Sequence, residues 1–158
     1  MTDTFLYFAY GSNMDIEQMT ARCPGAETVG RGYLPGYALC FPRMSTKRKC
    51  GVSSVAPLDG GEVWGVVYRL TAAELALLDR SEGHRPDRDR KLNSYTRLPI
   101  TVTMNGVATE MQTYFAEPQP GTFLPNAAYL LHLRKGARHH KLPAHYLDLL
   151  DAIEQPDT

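Results

Sequence analysis

The chain has 158 residues, a length that fits one domain with a single core and no need of stapling. Seventeen Lys and Arg balance seventeen Asp and Glu for a formal net charge of zero. No overall field draws it to nucleic acid or an anionic membrane, and a small neutral partner is expected. The cysteines, Cys23, Cys40 and Cys50, are odd in number and lack CxxC spacing, which argues against a disulfide framework and a zinc ribbon and for reduced thiols.

No apolar run approaches the roughly eighteen residues of a membrane helix. Met1-Thr2-Asp3-Thr4 lacks the basic start of a targeting segment, so a cytoplasmic location is expected. Phe5 to Ala9 is a short apolar run bounded by turn residues and predicts a buried strand. After Gly11-Ser12-Asn13, the stretch Asp15 to Cys23 predicts a short helix with Ile16 and Met19 on one face, stopped by Pro24-Gly25. Thr28 to Pro42 predicts two strands joined at Pro35-Gly36, and Val52 to Ala56 and Val63 to Leu70 predict two more. Thr71-Ala72-Ala73-Glu74 fits a capping box, opening a helix that runs to about Arg80 with Leu75, Leu77 and Leu78 on its apolar face. Tyr95 to Met104 and Val107 to Phe115 flank Asn105-Gly106, a pair that tolerates positive φ and predicts a hairpin with a type I′ turn. Ala127 to Leu133 shows helical spacing ending near Gly136, and Tyr146 to Ile153 shows it again just after Pro143. The many early strands, with no regular βαβ alternation, predict one α+β domain over 1–158 with a curled or barrel-like sheet.

Two segments carry chemistry. In "YFAYGSNM", residues 7 to 14, a strand ends in Gly-Ser-Asn ahead of a helix. Gly11 has access to backbone conformations closed to other residues, and the amides of such a turn converge outward as an anion cradle. Each contact of that kind is worth about 0.3–1 kcal/mol, up to about 2 when partly buried. The plainer reading is that Ser12 or Asn13 caps the helix at Asp15, and both readings stand at this point. In "LDRSEG", residues 78 to 83, a carboxylate at the end of an apolar helix face precedes Gly83. Desolvation at the edge of a core raises such a carboxyl toward working pH, as a general acid or base requires. The plainer reading is that Asp79 to Lys91, a dense run of mixed charge, is a solvated loop.

Other motifs fall away. Gly30-Arg31-Gly32-Tyr33-Leu34-Pro35-Gly36 misplaces the third glycine of a dinucleotide fingerprint and leads into a β-like run. His139, His140 and His145 give no fixed helical pair of metal ligands. Lys47-Arg48-Lys49 is too short a basic patch for nucleic-acid binding and reads as a solvated loop. Ser12 lacks a GxSxG elbow, and Cys23 sits at a helix end that disfavours a thiolate.

"YGSNM" after a first strand and "LDRSEG" after a central helix together resemble the gamma-glutamylcyclotransferase-like family. The likeness continues through Gly65-Val66-Val67-Tyr68, Tyr114, Tyr129 with Gly136-Ala137, and Leu142-Pro143-Ala144-His145-Tyr146. The resemblance implies a small mixed β-barrel with flanking helices and no cofactor or metal. It implies that the loop Tyr10, Gly11, Ser12 and Asn13 holds the α-carboxylate of a γ-glutamyl group. Glu82 is then the catalytic acid and base, and Tyr95, Tyr114 and Tyr129 shape the pocket. The implied reaction folds the substrate's α-amine onto its γ-carbonyl, forming 5-oxoproline and releasing an amino acid or amine. The segment His84 to Leu92 departs from the family pattern by its length and charge and is expected to alter the pocket rim. Two other functions use the same cavity: non-catalytic sensing of a small carboxylate metabolite, or a biosynthetic lyase or transferase acting on another amide.

Overall fold

A computed structural model describes residues 3–155, so the reading of Met1-Thr2 lies outside it. The first apolar run forms strand β1, Thr4–Ala9, in which alternate side chains serve two cores. Phe8, with Tyr10 just beyond the strand, joins Leu34, Val67, Val102 and Met111 in a core drawn from all five strands. Tyr7 and Ala9 join a second core that packs the other face of the sheet against helices through Met19, Leu130, Leu133, Tyr146 and Leu150.

The two strands expected on either side of Pro35-Gly36 are one continuous strand, β2, Glu27–Ser45. Val52 to Ala56 and Val63 to Leu70 likewise lie in a single β3, Cys50–Thr71. These long strands pair antiparallel along their length, and where a turn was expected the register jumps from Pro35↔Glu62 to Tyr37↔Pro57. Gly36, at φ 78, therefore faces an excursion of β3 over Leu58, Asp59, Gly60 and Gly61. Turn chemistry has been used for a bulge that bends two strands without separating them.

The hairpin of β4 (Tyr95–Met104) and β5 (Val107–Ala116) forms as expected, paired from Tyr95↔Ala116 to Met104↔Val107. Asn105 and Gly106 have φ 53 and 77, the signs a type I′ turn needs. The strand order is β1-β3-β2-β4-β5, closed into a barrel by a parallel contact of Tyr7 with Gln112.

Among the described residues four α-helices flank the sheet. Helix α1 is Ile16–Arg22, and α2 is Ala72–Glu82 with the expected capping box between Thr71 and Glu74. Helix α2 runs two residues past Arg80, which places Glu82 in its last turn. Helix α3, Ala127–His139, passes through Gly136 instead of ending near it, and α4 is Ala144–Asp151. The reason is a close approach: a Cβ on Gly136 would lie 2.3 Å from the carbonyl carbon of Met14, so only glycine lets α3 lie on the loop after β1. Among the described residues no helix is long and apolar enough to cross a membrane.

Neither Ser12 nor Asn13 caps α1. Asp15 does, its side chain accepting from the Glu17 amide, and it also meets His132 Nδ1 at 2.7 Å and Lys135 Nζ at 3.6 Å. Burial opposes the charge, but the His132 hydrogen bond, the Glu17 amide and Lys135 outweigh it and hold the Asp15 carboxyl below its ordinary range. Its pKa is thus lower folded than unfolded. The stability it contributes is present above the ordinary value of 3.8 and is lost as pH falls through the folded value. Asp15→Ala is expected to cost about 1–2 kcal/mol at pH 7 in urea melts, with the difference from the parent shrinking in acid.

Candidate active site

The loop after β1 carries Gly11 into a single 3-10 turn, Ser12–Met14, closed by Met14 N donating to Gly11 O and Asp15 N to Ser12 O. The N–H groups of Gly11, Ser12 and Asn13 donate to no protein acceptor among the described residues. Gly11 has φ −115 and ψ −137, outside the left-handed region and outside the α and β regions as well. Glycine is required for room: a Cβ there would lie 2.5 Å from Ser53 Oγ and 3.6 Å from the Tyr129 hydroxyl.

Glu82 reaches this loop from α2. Gly83, at φ 76, ends the helix with its amide on Arg80 O, while His84 N donates to Asp79 O at 2.8 Å, a doubly bonded C-cap that fixes where the last turn points. Glu82 Oε1 accepts from Asn13 Nδ2 and from Arg22 Nη1, both at 3.0 Å. Its Oε2 takes no donor among the described residues. The Glu82 side chain is 13% exposed and that of Arg22 22%. Burial raises the Glu82 carboxyl, and the opposing pull of Arg22, Asn13 and Arg48 does not cancel that rise.

Asn13 is the hub. Its Nδ2 also donates to the Tyr7 hydroxyl at 2.9 Å, and its Oδ1 accepts from Gln18 Nε2 at 2.9 Å and Arg22 Nη1 at 3.0 Å. With every amide position occupied, Asn13 holds Glu82 in one orientation. Gln18 and Arg22 stand four apart on α1, so both face the loop. Reading the sequence for motifs missed them, although that spacing was the signal that could have found them. Arg48 was misread as a solvated residue. The tip of the β2–β3 hairpin folds it inward, where its Nη2 meets Gln18 Oε1 at 2.9 Å and its guanidinium lies 5.0 Å from the Tyr129 ring centroid.

The three expected tyrosines converge with the loop. Between Cys40↔Ser54 and Arg43↔Val52 the β2–β3 register shifts, leaving Ser53 out of the ladder. Its backbone serves the tyrosines instead: Ser53 N donates to the Tyr129 hydroxyl at 3.0 Å, and the Tyr95 hydroxyl donates to Ser53 O at 2.5 Å. The Tyr114 hydroxyl donates to Asp79 Oδ1 at 2.6 Å, and Arg97 Nε holds that carboxylate at 2.8 Å. Tyr10 donates to the Tyr114 carbonyl. Burial pushes the phenols of Tyr7, Tyr10, Tyr95, Tyr114 and Tyr129 up, so each stays neutral and keeps its proton at pH 7.

Tyr10, Gly11, Ser12, Asn13, Glu82, Tyr95, Tyr114 and Tyr129 all line one cavity of about 30 Å³, together with Tyr7 and Ser53. A larger cavity of about 300 Å³ adjoins it, sharing Ser12, Glu82, Tyr95 and Tyr129. The rim of the larger one comes from the β2–β3 tip and the end of α2, with no residue of His84 to Leu92. That segment is tied down by buried Asn93, whose Oδ1 accepts from Arg85 N and Arg88 Nε. The expectation that it alters the pocket rim is therefore corrected.

Comparison with known proteins gives one answer. The AIG2-like family matches residues 62–150. A gamma-glutamylcyclotransferase of Mus musculus is 32% identical over 160 residues, covering 96% of this chain and 80% of its own, and one of Homo sapiens is 31% identical over 163 residues, covering 98% and 81%. A solved gamma-glutamyl cyclotransferase superposes with TM-score 0.88 at 28% identity, covering 99% of this chain and 91% of that one. With that likeness running through both the Tyr-Gly-Ser-Asn loop and the Glu82 helix, the chain belongs to the gamma-glutamylcyclotransferase-like family and is an enzyme of that type.

Proposed function

We propose that this enzyme converts a γ-glutamyl amino acid to 5-oxoproline and the free amino acid, with Glu82 as the acid and base. The observation that carries the reading is the position of one buried carboxyl, Glu82, on the wall of both adjoining cavities with Oε2 unpartnered. A group that takes a proton from the attacking amine and gives one to the leaving nitrogen must reach both ends of the reaction.

The small cavity has about the volume of one water, room for a carboxylate and not for a whole glutamyl group. The α-carboxylate is seated there against the free amides of residues 11 to 13, and the side chain folds back toward Glu82. Holding the amine against its own carbonyl gives effective molarities of about 10⁵–10⁸ M, so restraint does much of the work. The remaining barrier is protonation, because an α-ammonium of pKa about 8 is mostly charged at neutral pH. Glu82 takes that proton, the amine attacks the γ-carbonyl, and the C–N bond breaks as Glu82 returns the proton to the departing nitrogen; the ring nitrogen then sheds a second proton through the same carboxyl, leaving the lactam N–H and a released ammonium. Neutral tyrosine hydroxyls around the site add no competing charge.

Incubation with a panel of γ-glutamyl dipeptides and γ-glutamylamines, followed by chromatographic detection of 5-oxoproline, tests the reaction. No product from any of them sinks it, and thermal stabilisation by 5-oxoproline without turnover points instead to a sensor. The base must be ionised to act, so the acidic limb of the kcat/KM profile is expected above the ordinary carboxyl value of 4.5. Arg22 favours the ionised form, so Arg22→Gln is expected to move that limb further up, read from pH–rate profiles of the two proteins.

A further inference from the structure

We infer that the larger cavity is a leaving-group subsite selective for an acidic amino acid, one that brings a second carboxylate besides its own α-carboxylate. The inference rests on the cyclisation proposed above and goes beyond it to the identity of the released half.

The charge on its wall is one-sided. Five cations, Arg22, Arg43, Lys47, Arg48 and Arg80, face one carboxylate, Glu82, in a chain whose net charge is zero. Arg22 pairs with Glu82. The other four pair with no carboxylate among the described residues. A monocarboxylate leaving group would answer one of them.

The two half-buried cations set the geometry. Arg48 stands at the neck between the cavities, with its Nη2 3.4 Å from Ser12 Oγ. Arg43 stands on β2 itself, five residues before Arg48, and donates only Nη1, to the Glu117 backbone carbonyl at 3.1 Å. The Glu117 carboxylate itself is taken by Arg90 Nε at 3.0 Å and the Thr96 hydroxyl at 2.8 Å, so it does not neutralise Arg43. Half-buried guanidinium forks left without a carboxylate are matched by carboxylates, which they bind in two parallel hydrogen bonds. Arg48 is placed for the α-carboxylate of the released residue, nearest the scissile bond, and Arg43 for its side-chain carboxylate. Lys47 and Arg80 lie exposed at the rim, where salt screens them, and they steer more than they hold. Hydroxyl and amide groups of Ser45, Thr46, Ser94 and Gln119 supply further polar partners, while Met44, Val52, Tyr95 and Tyr129 form the apolar part of the wall.

The test compares γ-glutamylglutamate with γ-glutamylalanine. Dissociation constants are measured by calorimetry on Glu82→Gln, in which turnover is expected to be slowed about 10²–10⁴-fold, and kcat/KM on the unaltered enzyme. The acidic conjugate is expected to be favoured at least about tenfold at low salt, with the advantage shrinking as salt rises. Arg43→Gln is expected to remove most of that advantage, and Arg43→Lys to retain part of it. Equal or reversed preference, binding of neither conjugate, or a ratio unmoved by Arg43→Gln overturns the inference. If the acidic conjugate binds preferentially but no protein in the series releases 5-oxoproline, the subsite stands and only the cyclisation falls. If 5-oxoproline forms without acidic preference, the reverse holds.

Discussion

Replacing Glu82 by Gln is expected to lower kcat for 5-oxoproline release by about 10²–10⁴, the range that a positioned acid or base contributes. That corresponds to about 3–5 kcal/mol of barrier. Substrate affinity is expected to stay close to that of the parent. The amide has the shape of the carboxyl and presents its oxygen to Asn13 and Arg22, which now meet in Oε1 at 3.0 Å. A loss confined to kcat marks a group acting on the reacting atoms, whereas a rise in KM with kcat unchanged marks a group that only binds. Retention of most of the rate in Glu82→Gln removes Glu82 from the chemistry. The fold is a separate readout. Burial raises the Glu82 carboxyl, so its ionised form is disfavoured in the native state and stability is lost as pH rises through the folded value. Gln carries no such charge, and the variant is expected to melt at or above the parent at pH 7.

Gly136→Ala is expected to be the most damaging single methyl group in the chain. In an exposed helix the change would stabilise by about 1 kcal/mol through propensity alone. Here the new Cβ falls 2.3 Å from the Met14 carbonyl carbon, 2.4 Å from its oxygen and 2.6 Å from its Cβ. Two of these are main-chain atoms, which cannot rotate away. Overpacking of this kind costs about 1–3 kcal/mol, or roughly 2–4 °C in Tm for each kcal/mol in a chain of this length. The displaced atoms belong to the turn that carries Ser12 and Asn13, so activity is expected to fall more than stability. Melting and 5-oxoproline assays on the same preparation separate the two effects. An unchanged Tm contradicts the packing account.

Gly136 also shows what a sequence conceals. A glycine after a run of helical spacing reads as a helix end, because local chemistry says nothing about a main chain passing on the far side. Pro35-Gly36 misled for the same reason, since whether such a pair turns or bulges depends on what the partner strand does at 58–61. The β4–β5 turn and the Thr71–Glu74 capping box were legible because each is settled within four or five residues. In the site, the loop at 10–13 and Glu82 stood out as separate motifs, and the structure brings them within hydrogen-bonding distance. Arg48 did not stand out. Its sequence neighbours are cations, and only the curl of the β2–β3 tip carries it over Tyr129.

The barrel's closing seam has a consequence for how the enzyme comes into being. The first strand meets the last across a parallel contact, and beside it Tyr10 bonds to a carbonyl 104 positions further along the chain. Links spanning such lengths of polymer form late and slowly, because the loop between them must be ordered before they can repay it. Tyr7, Tyr10 and Tyr114 at that seam also wall the small cavity. A nascent chain leaving the ribosome therefore carries its Tyr-Gly-Ser-Asn turn early and idle, and competence arrives all at once when the seam shuts. In refolding experiments, recovery of turnover should coincide with the final protection of β1 and β5 amides from exchange, with no active species before it.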